Sequence, residues 1–432
     1  MGSSESIDNN AMARTDLRGV AIGGAYPPVR HGHFMYSVSM TNTVAIIGAG
    51  IAGPVTAMAL QQAGLHPVVY EGHDRMADGV GAFLTVATNG LEALHLLDLD
   101  LAGVGMETRR MRICSGTGKL LAEFDNGGVT SFGAASRTLR RADLYRVLRD
   151  EALRRGVRIE YGKRLADARP CGDGVRADFT DGTSAEAHLL IGADGLHSRT
   201  RAVLDPHAPE PRYLGLLNTG GFAKGLRLDV EPGTAHFVFG ARCFFGYLAH
   251  PDGDVWWFAN PGRRTEPAPG DLAALTPDRW RDELRTLFAA DAGPALRIVD
   301  ATEEIVRGWS TYDLPTVPTW RTDRMVLVGD AAHAASPSSG QGASMAVEDA
   351  LVLARCLRDV PGTADALAAY ERLRRGRVER IVEQGRRNGS YKSVGPVRRM
   401  LRDAALPVIL RAASRRDNQR WIYDYRVPET VR

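Results

Sequence analysis

Residues 43–71 hold the pattern that most limits what this chain can become. An uncharged apolar run, TVAIIG from Thr43 to Gly48, leads into Gly48-Ala49-Gly50-Ile51-Ala52-Gly53, then a helical stretch to Gly64 and a second apolar run from His66 to Glu71. A strand this continuously apolar is buried on both faces, as in a parallel sheet, and the whole reads as one βαβ unit. The uncharged stretch Thr41–Leu65 is broken by Gly48, Gly50, Gly53, Pro54, Gln61, Gln62 and Gly64, which argues against a membrane-spanning helix.

A G-x-G-x-x-G that closes a strand and opens a helix is a phosphate-binding turn. The first glycine permits the tight turn, the second lets a pyrophosphate approach the backbone, and the third lets helix and strand pack closely. The helix N-terminus supplies N–H groups and partial positive charge. Glu71 ends the second strand 23 residues after Gly48, where a carboxylate accepts from ribose hydroxyls. These residues alone leave NAD and FAD open.

The other elements follow in a mixed order. Arg141–Arg154 has helical periodicity, and Val157–Tyr161, Ala187–Ile191 and Met325–Val328 read as strands. His236–Phe239 is a short strand. Cys243–His250 and Val255–Asn260 flank the turn Pro251-Asp252-Gly253-Asp254 as a hairpin. Ala343–Leu357 and the stretch from Ala364 are helical. With 432 residues, two or three domains are expected. The 54 basic residues are balanced by 51 acidic ones, so nucleic acid is not expected as the main partner. Only Lys119, Lys163, Lys224 and Lys392 are lysines; this arginine bias, with 47 glycines, reads as a GC-rich coding sequence. Cys114, Cys171, Cys243 and Cys356 form no C-x-x-C pair, so neither a disulfide framework nor a metal site is expected. The first 40 residues are polar and lack the apolar core of a secretory signal, so a cytoplasmic protein is expected. They are either a disordered tail or a segment upstream of a start at Met40.

Two later segments each follow an apolar strand. One is Gly192-Ala193-Asp194-Gly195 with Ser198 and Arg201. The other is Gly329-Asp330-Ala331-Ala332-His333 with Pro337-Ser338-Ser339-Gly340-Gln341-Gly342. In this order the three motifs resemble those of the class A flavoprotein aromatic hydroxylases, the para-hydroxybenzoate hydroxylase family, over about Thr43 to Leu357. The resemblance implies an α/β fold: a Rossmann-like FAD-binding domain with an inserted mixed β-sheet substrate domain and a helical C-terminal segment. The expected division is a disordered tail over 1–42, an FAD-binding domain over 43–106, 136–208 and 306–360, a substrate sheet over 107–135 and 209–305, and C-terminal helices over 361–432.

By the same resemblance FAD is held by Gly48, Gly50, Gly53, Glu71, Arg141, Asp194, Asp330, Pro337, Gly340, Gly342 and Ala343, with Asp194 also near the NAD(P)H region. Arg140 adjoins Arg141, so that match could shift by one. The chemistry fits these positions. Asp330 can accept from a ribityl hydroxyl, and the helix N-terminus after Gly342 can stabilise negative charge on reduced flavin. Ser344 stands where the family often has Asn, which implies a lost side-chain contact. A second fingerprint and a redox C-x-x-C, as in disulfide reductases, are absent. Flavin halogenases carry a W-x-W-x-I-P motif and a catalytic lysine; here Trp256 and Trp257 are the sole tryptophan pair and lysine is scarce.

Phe222, Phe237, Phe239, Phe245, Tyr247 and Trp257 are expected to line an apolar substrate pocket; alternation places Phe244 opposite Phe245 and Tyr247. His236, His250 and His333 are candidate bases, but a lone histidine is more often structural, and catalytic groups stay unassigned. The basic stretch Pro396–Arg416, broken by Pro407, reads as a solvated helix packed on the body. The expected activity is an NADPH- or NADH-consuming monooxygenase that inserts one oxygen atom of O2, through a C4a-hydroperoxyflavin, into an aromatic or polycyclic small molecule. It would be a natural-product tailoring hydroxylase, monomeric or homodimeric, without membrane insertion. Antibiotic-inactivating hydroxylation and epoxidation stay open. So, in other classes, do a non-catalytic FAD-bearing ligand binder and an NAD-dependent dehydrogenase, which would leave Asp194 and Asp330 unexplained.

Overall fold

The uncharged run near the start forms the middle strand of a five-stranded parallel sheet. The computed structural model describes residues 42–74, 83–314, 316–392, 405 and 416–431. All but Asn42 of the tail expected over residues 1–42, and nearly all of Pro396–Arg416, lie outside the described residues. In spatial order the sheet runs Met325–Leu327, Leu189–Gly192, Thr43–Ile47, His66–Tyr70 and Arg158–Glu160. Every pairing is parallel. Alternate residues leave on opposite faces. Val44, Ile46, Val69, Ile191 and Val326 join a core with the helices Ala52–Gln62, Arg141–Arg154, Gly342–Asp359 and Thr363–Ser390. Ala45, Ile47, Tyr70, Leu190 and Met325 pack instead on the antiparallel meander Leu165–Cys171, Gly174–Phe179 and Ser184–Ala187.

A seven-stranded sheet makes the second layer, in the order Ile305–Asp313, Arg212–Ala223, Val255–Pro261, Cys243–Ala249, Thr234–Phe239, Arg110–Ser115 and Leu120–Asp125. It is antiparallel except where Thr234–Phe239 runs parallel to Arg110–Ser115. The strand Ile305–Asp313, placed by sequence almost wholly in the cofactor domain, is hydrogen-bonded along this sheet's edge. One face is sealed by Pro277–Phe288, whose Trp280, Leu284 and Phe288 recur every four residues, and by Ala295–Asp300. The other face meets Phe83 and Met106 of a small sheet that ends at Arg140. Among the described residues no helix is long and apolar enough to cross a membrane.

Candidate cofactor and substrate site

The glycine turn is built as tightly as its spacing predicts. Gly48 sits at φ +104°, and a Cβ there would lie 2.5 Å from the Ala193 carbonyl oxygen. A Cβ on Gly53 would stand 1.9 Å from the Gly48 oxygen. Gly50 has nothing within 4 Å of its Cβ position, so it leaves room for a ligand at the backbone. Glu71 closes the next strand and turns back onto this loop: Oε2 accepts from the Ala49 N–H at 2.7 Å and Oε1 from the His73 N–H at 2.9 Å.

The Asp194 carboxylate is committed inside the protein. Oδ1 accepts from Ser198 Oγ at 2.5 Å, and Oδ2 accepts from the Thr200 N–H at 2.9 Å and Oγ1 at 3.0 Å, which supports the first turn of the helix Arg199–Leu204 beside its cap Ser198. Arg201, 4% exposed, donates to the carbonyls of Leu196 at 2.8 Å and Ala331 at 3.0 Å. It ties the second motif to the third.

Asp330 differs. It is exposed, and among the described residues none donates to its carboxylate. Protein nonetheless crowds it, and that desolvation raises its pKa, opposed by the charges of His333 and Arg141. Arg141 belongs to this side of the site. Arg140 faces the other way, with its guanidinium carbon 4.7 Å from the Phe222 ring centre and 5.5 Å from that of Trp256. The adjacent arginines therefore serve different layers.

The loop Pro337–Gly342 enters the helix Gly342–Asp359, and nothing lies within 4 Å of the Cβ positions of Gly340 and Gly342. The Gln341 Nε2 donor is buried without a protein acceptor. Open backbone at Gly50, Gly340 and Gly342, a helix N-terminus and an uncommitted Asp330 carboxylate together fit a dinucleotide carrying a ring and a polyol. Ser344 is turned away: its Oγ accepts from the Ala87 N–H at 3.2 Å, against the helix Thr88–His95. A surface hollow of about 210 Å³ beside Asn42, His188 and Thr363 lies at the amino ends of the strands. Ligands in such sheets bind at the carboxyl ends, which makes the motif-lined cleft the candidate site.

Beneath the loop lies a buried charge cluster that sequence reasoning missed. His333 Nε2 lies 2.5 Å from Asp349 Oδ2, which also accepts from the Gly329 N–H at 2.9 Å. Arg374 donates to Asp349 and to Glu348, both at 2.7 Å, and Arg377 to Glu348 at 2.8 Å. Burial would raise the pKa of Asp349, but His333 and Arg374 hold it at about 2. His333 is thus a structural partner of this cluster, not a base facing a substrate. The signal was the E-D pair inside the otherwise uncharged stretch Gly342–Ala354.

The aromatic residues divide by face. Phe222, Phe237 and Phe239 lie on the face turned toward the cofactor layer, together with Phe244, Trp256 and Phe258, which were not among the expected pocket residues. Phe245, Tyr247 and Trp257, expected in the pocket, belong to the opposite face under the helix Pro277–Phe288. Alternation sorted the residues into two sets; the amphipathic helix that covers one set decides which is core. Phe245→Ala is expected to cost about 3–5 kcal/mol of stability in chemical unfolding and to leave FAD affinity unchanged. His236 stacks on Tyr247 at 4.8 Å on that covered face, and burial lowers its pKa to about 4. His250 stacks on Trp256 at 5.0 Å and pairs with Asp252 in the hairpin turn.

A family model described as an FAD-binding domain matches residues 41–385. The 3-amino-4-hydroxybenzoate 2-monooxygenase of Streptomyces platensis is 33% identical over 416 residues, covering 88% of this chain and 96% of that one. The chain belongs to the class A flavoprotein aromatic hydroxylases. Within this family it is also similar to the FAD-dependent urate hydroxylase of Klebsiella pneumoniae, 31% identical over 79% of this chain and 88% of the relative. The structure of Klebsiella pneumoniae HpxO complexed with FAD and uric acid superposes with a TM-score of 0.75 at 28% identity, covering 87% and 96% of the two chains. A salicylate hydroxylase substrate complex shares the fold, with a TM-score of 0.71 at 22% identity over 90% and 96%. Membership makes the chain an FAD-dependent monooxygenase, in a family that uses NAD(P)H.

Proposed function

We propose that this hydroxylase inserts one atom of O2 into a small, electron-rich aromatic compound, as a tailoring step in natural-product assembly. The observation that carries the reading is the half-exposed aromatic face of the seven-stranded sheet, Phe83, Phe222, Phe237 and Phe258, set against the layer that carries Asp330 and the Pro337–Gly342 loop. Bound FAD supplies the electrons taken from NAD(P)H and the activation of oxygen. The chain's own residues do the rest. Asp330 and the open glycines hold and orient the cofactor, and the aromatic face binds a flat substrate and excludes water. The Gly342 helix end favours negative charge beside the ring. The relatives' aromatic substrates, aminohydroxybenzoate and urate, support this class.

The test is NAD(P)H oxidation by the FAD-loaded protein with a panel of aromatic compounds, followed by mass analysis of products made under ¹⁸O₂. A product gaining one labelled oxygen is expected. FAD retention with no stimulation of NAD(P)H oxidation and no oxygenated product for any aromatic compound would favour the non-catalytic binder. Asp330→Ala is expected to lower FAD affinity at least tenfold in a fluorescence titration of the apoprotein, and unchanged affinity would remove Asp330 from the cofactor site.

A further inference from the structure

The helix Thr363–Ser390 ends against the flavin loop. A Cβ on Gly385 would lie 2.9 Å from Ser339 Cβ, and Asn388 donates to the Ser338 carbonyl at 3.3 Å. Lys392 follows directly, its N–H donating to the Gly389 carbonyl at 3.0 Å. Its side chain reaches the aromatic face: Nζ is 4.2 Å from the Phe244 ring centre, 5.6 Å from that of Phe258, and 2.8 Å from Asn260 Oδ1. The acceptor is fixed by a relay, since Asn260 Nδ2 donates to Asn218 Oδ1 at 2.6 Å and Asn218 Nδ2 to Thr311 Oγ1 at 2.7 Å. Among the described residues, no carboxylate pairs with Lys392. One ammonium donor is used and two remain, beside aromatic rings and between the flavin loop and the substrate sheet.

An ammonium so placed lacks the counter-charge that a recessed cation needs. Burial lowers its pKa to about 7, with Cys243 pulling slightly upward. A ligand oxyanion would complete the site. We propose that Lys392 is the specificity-determining cation of the substrate pocket, and that the substrate is an aromatic compound carrying an acidic oxygen that pairs with its Nζ. The oxygen is either a carboxylate or a phenol; with a phenol, the proton passes to the neutral amine and an ammonium–phenolate pair results. This rests on the reading of the sheet face as the substrate site.

The test uses the FAD-loaded protein and reads the change in flavin absorbance on titration with benzoate, benzamide and 4-hydroxybenzamide. Wild type near pH 7 is expected to bind benzoate, or 4-hydroxybenzamide, at least tenfold more tightly than benzamide; which of the two is preferred identifies the oxyanion. Lys392→Met is expected to lose that preference, and Lys392→Arg to keep part of it, while both retain FAD. If the Met variant does not fold, Lys392→Gln serves in its place. No preference in wild type, or an undiminished preference in a folded Met or Gln variant, overturns the proposal. A Lys392-dependent preference without any oxygenated product would instead leave this pairing intact and count against the monooxygenase reading.

Discussion

Two added methyl groups in one turn are expected to fail in different ways. Gly53→Ala puts a Cβ 1.9 Å from the Gly48 carbonyl oxygen, a backbone atom that can move only if the strand and helix part. Overpacking of this kind costs about 1–3 kcal/mol or more, and a backbone clash belongs at the upper end. Gly50→Ala meets nothing within 4 Å and needs no left-handed backbone. Its apoprotein should unfold within about 0.5 kcal/mol of wild type. Its FAD affinity should nonetheless fall at least tenfold, because the methyl stands where backbone must approach a phosphate. Urea unfolding of both apoproteins, paired with FAD titration, separates the two effects. Tight FAD binding by Gly50→Ala would move the pyrophosphate away from this turn.

The second large effect is expected at Arg374. Its side chain is fully buried and pairs with both Glu348 and Asp349. Arg374→Met leaves two buried carboxylates with Arg377 and His333 alone, and breaking such a pair costs about 3–5 kcal/mol. The pH dependence should shift as well. In wild type the folded pKa of Asp349, about 2, lies below its ordinary 3.8. The unfolded chain therefore binds more protons between these values, and the stability from Asp349 is present above about 4 and lost as pH falls toward 2. Arg374→Met removes the charge and hydrogen bond of one of the groups that hold the carboxyl down, so it titrates higher than in wild type and acid unfolding should begin at a higher pH. Thermal melts from pH 3 to 8 measure this; an unshifted acid limb would show that Asp349 does not depend on Arg374.

The layers were legible because local chemistry and the final structure agree. The continuous apolar runs became parallel strands, and Arg141–Arg154 formed with the bounds its periodicity gave. The three glycine motifs converge at the strands' carboxyl ends, because a buried strand can expose only its terminus. What stayed hidden depends on contacts between distant residues. Nothing local to Phe245 or Phe258 says which one the helix Pro277–Phe288 covers. Asp194 looks like a ligand in sequence but spends its oxygens on Ser198 and Thr200. Lys392 stands 132 residues from Asn260, and no motif joins them.

The charge cluster under the loop Pro337–Gly342 also has a consequence for biosynthesis. The site takes Gly50 from near one end of the chain, Asp330 and Gly342 from its last quarter, and the counter-charges Arg374 and Arg377 from still later. The segment 416–431 then adds its own fastenings, with Arg377 donating to the Ile422 carbonyl at 2.9 Å and Val431 N–H to Asp359 at 2.9 Å. A ribosome emits these parts in order, so the cleft cannot close until Arg377 and the segment 416–431 have both emerged.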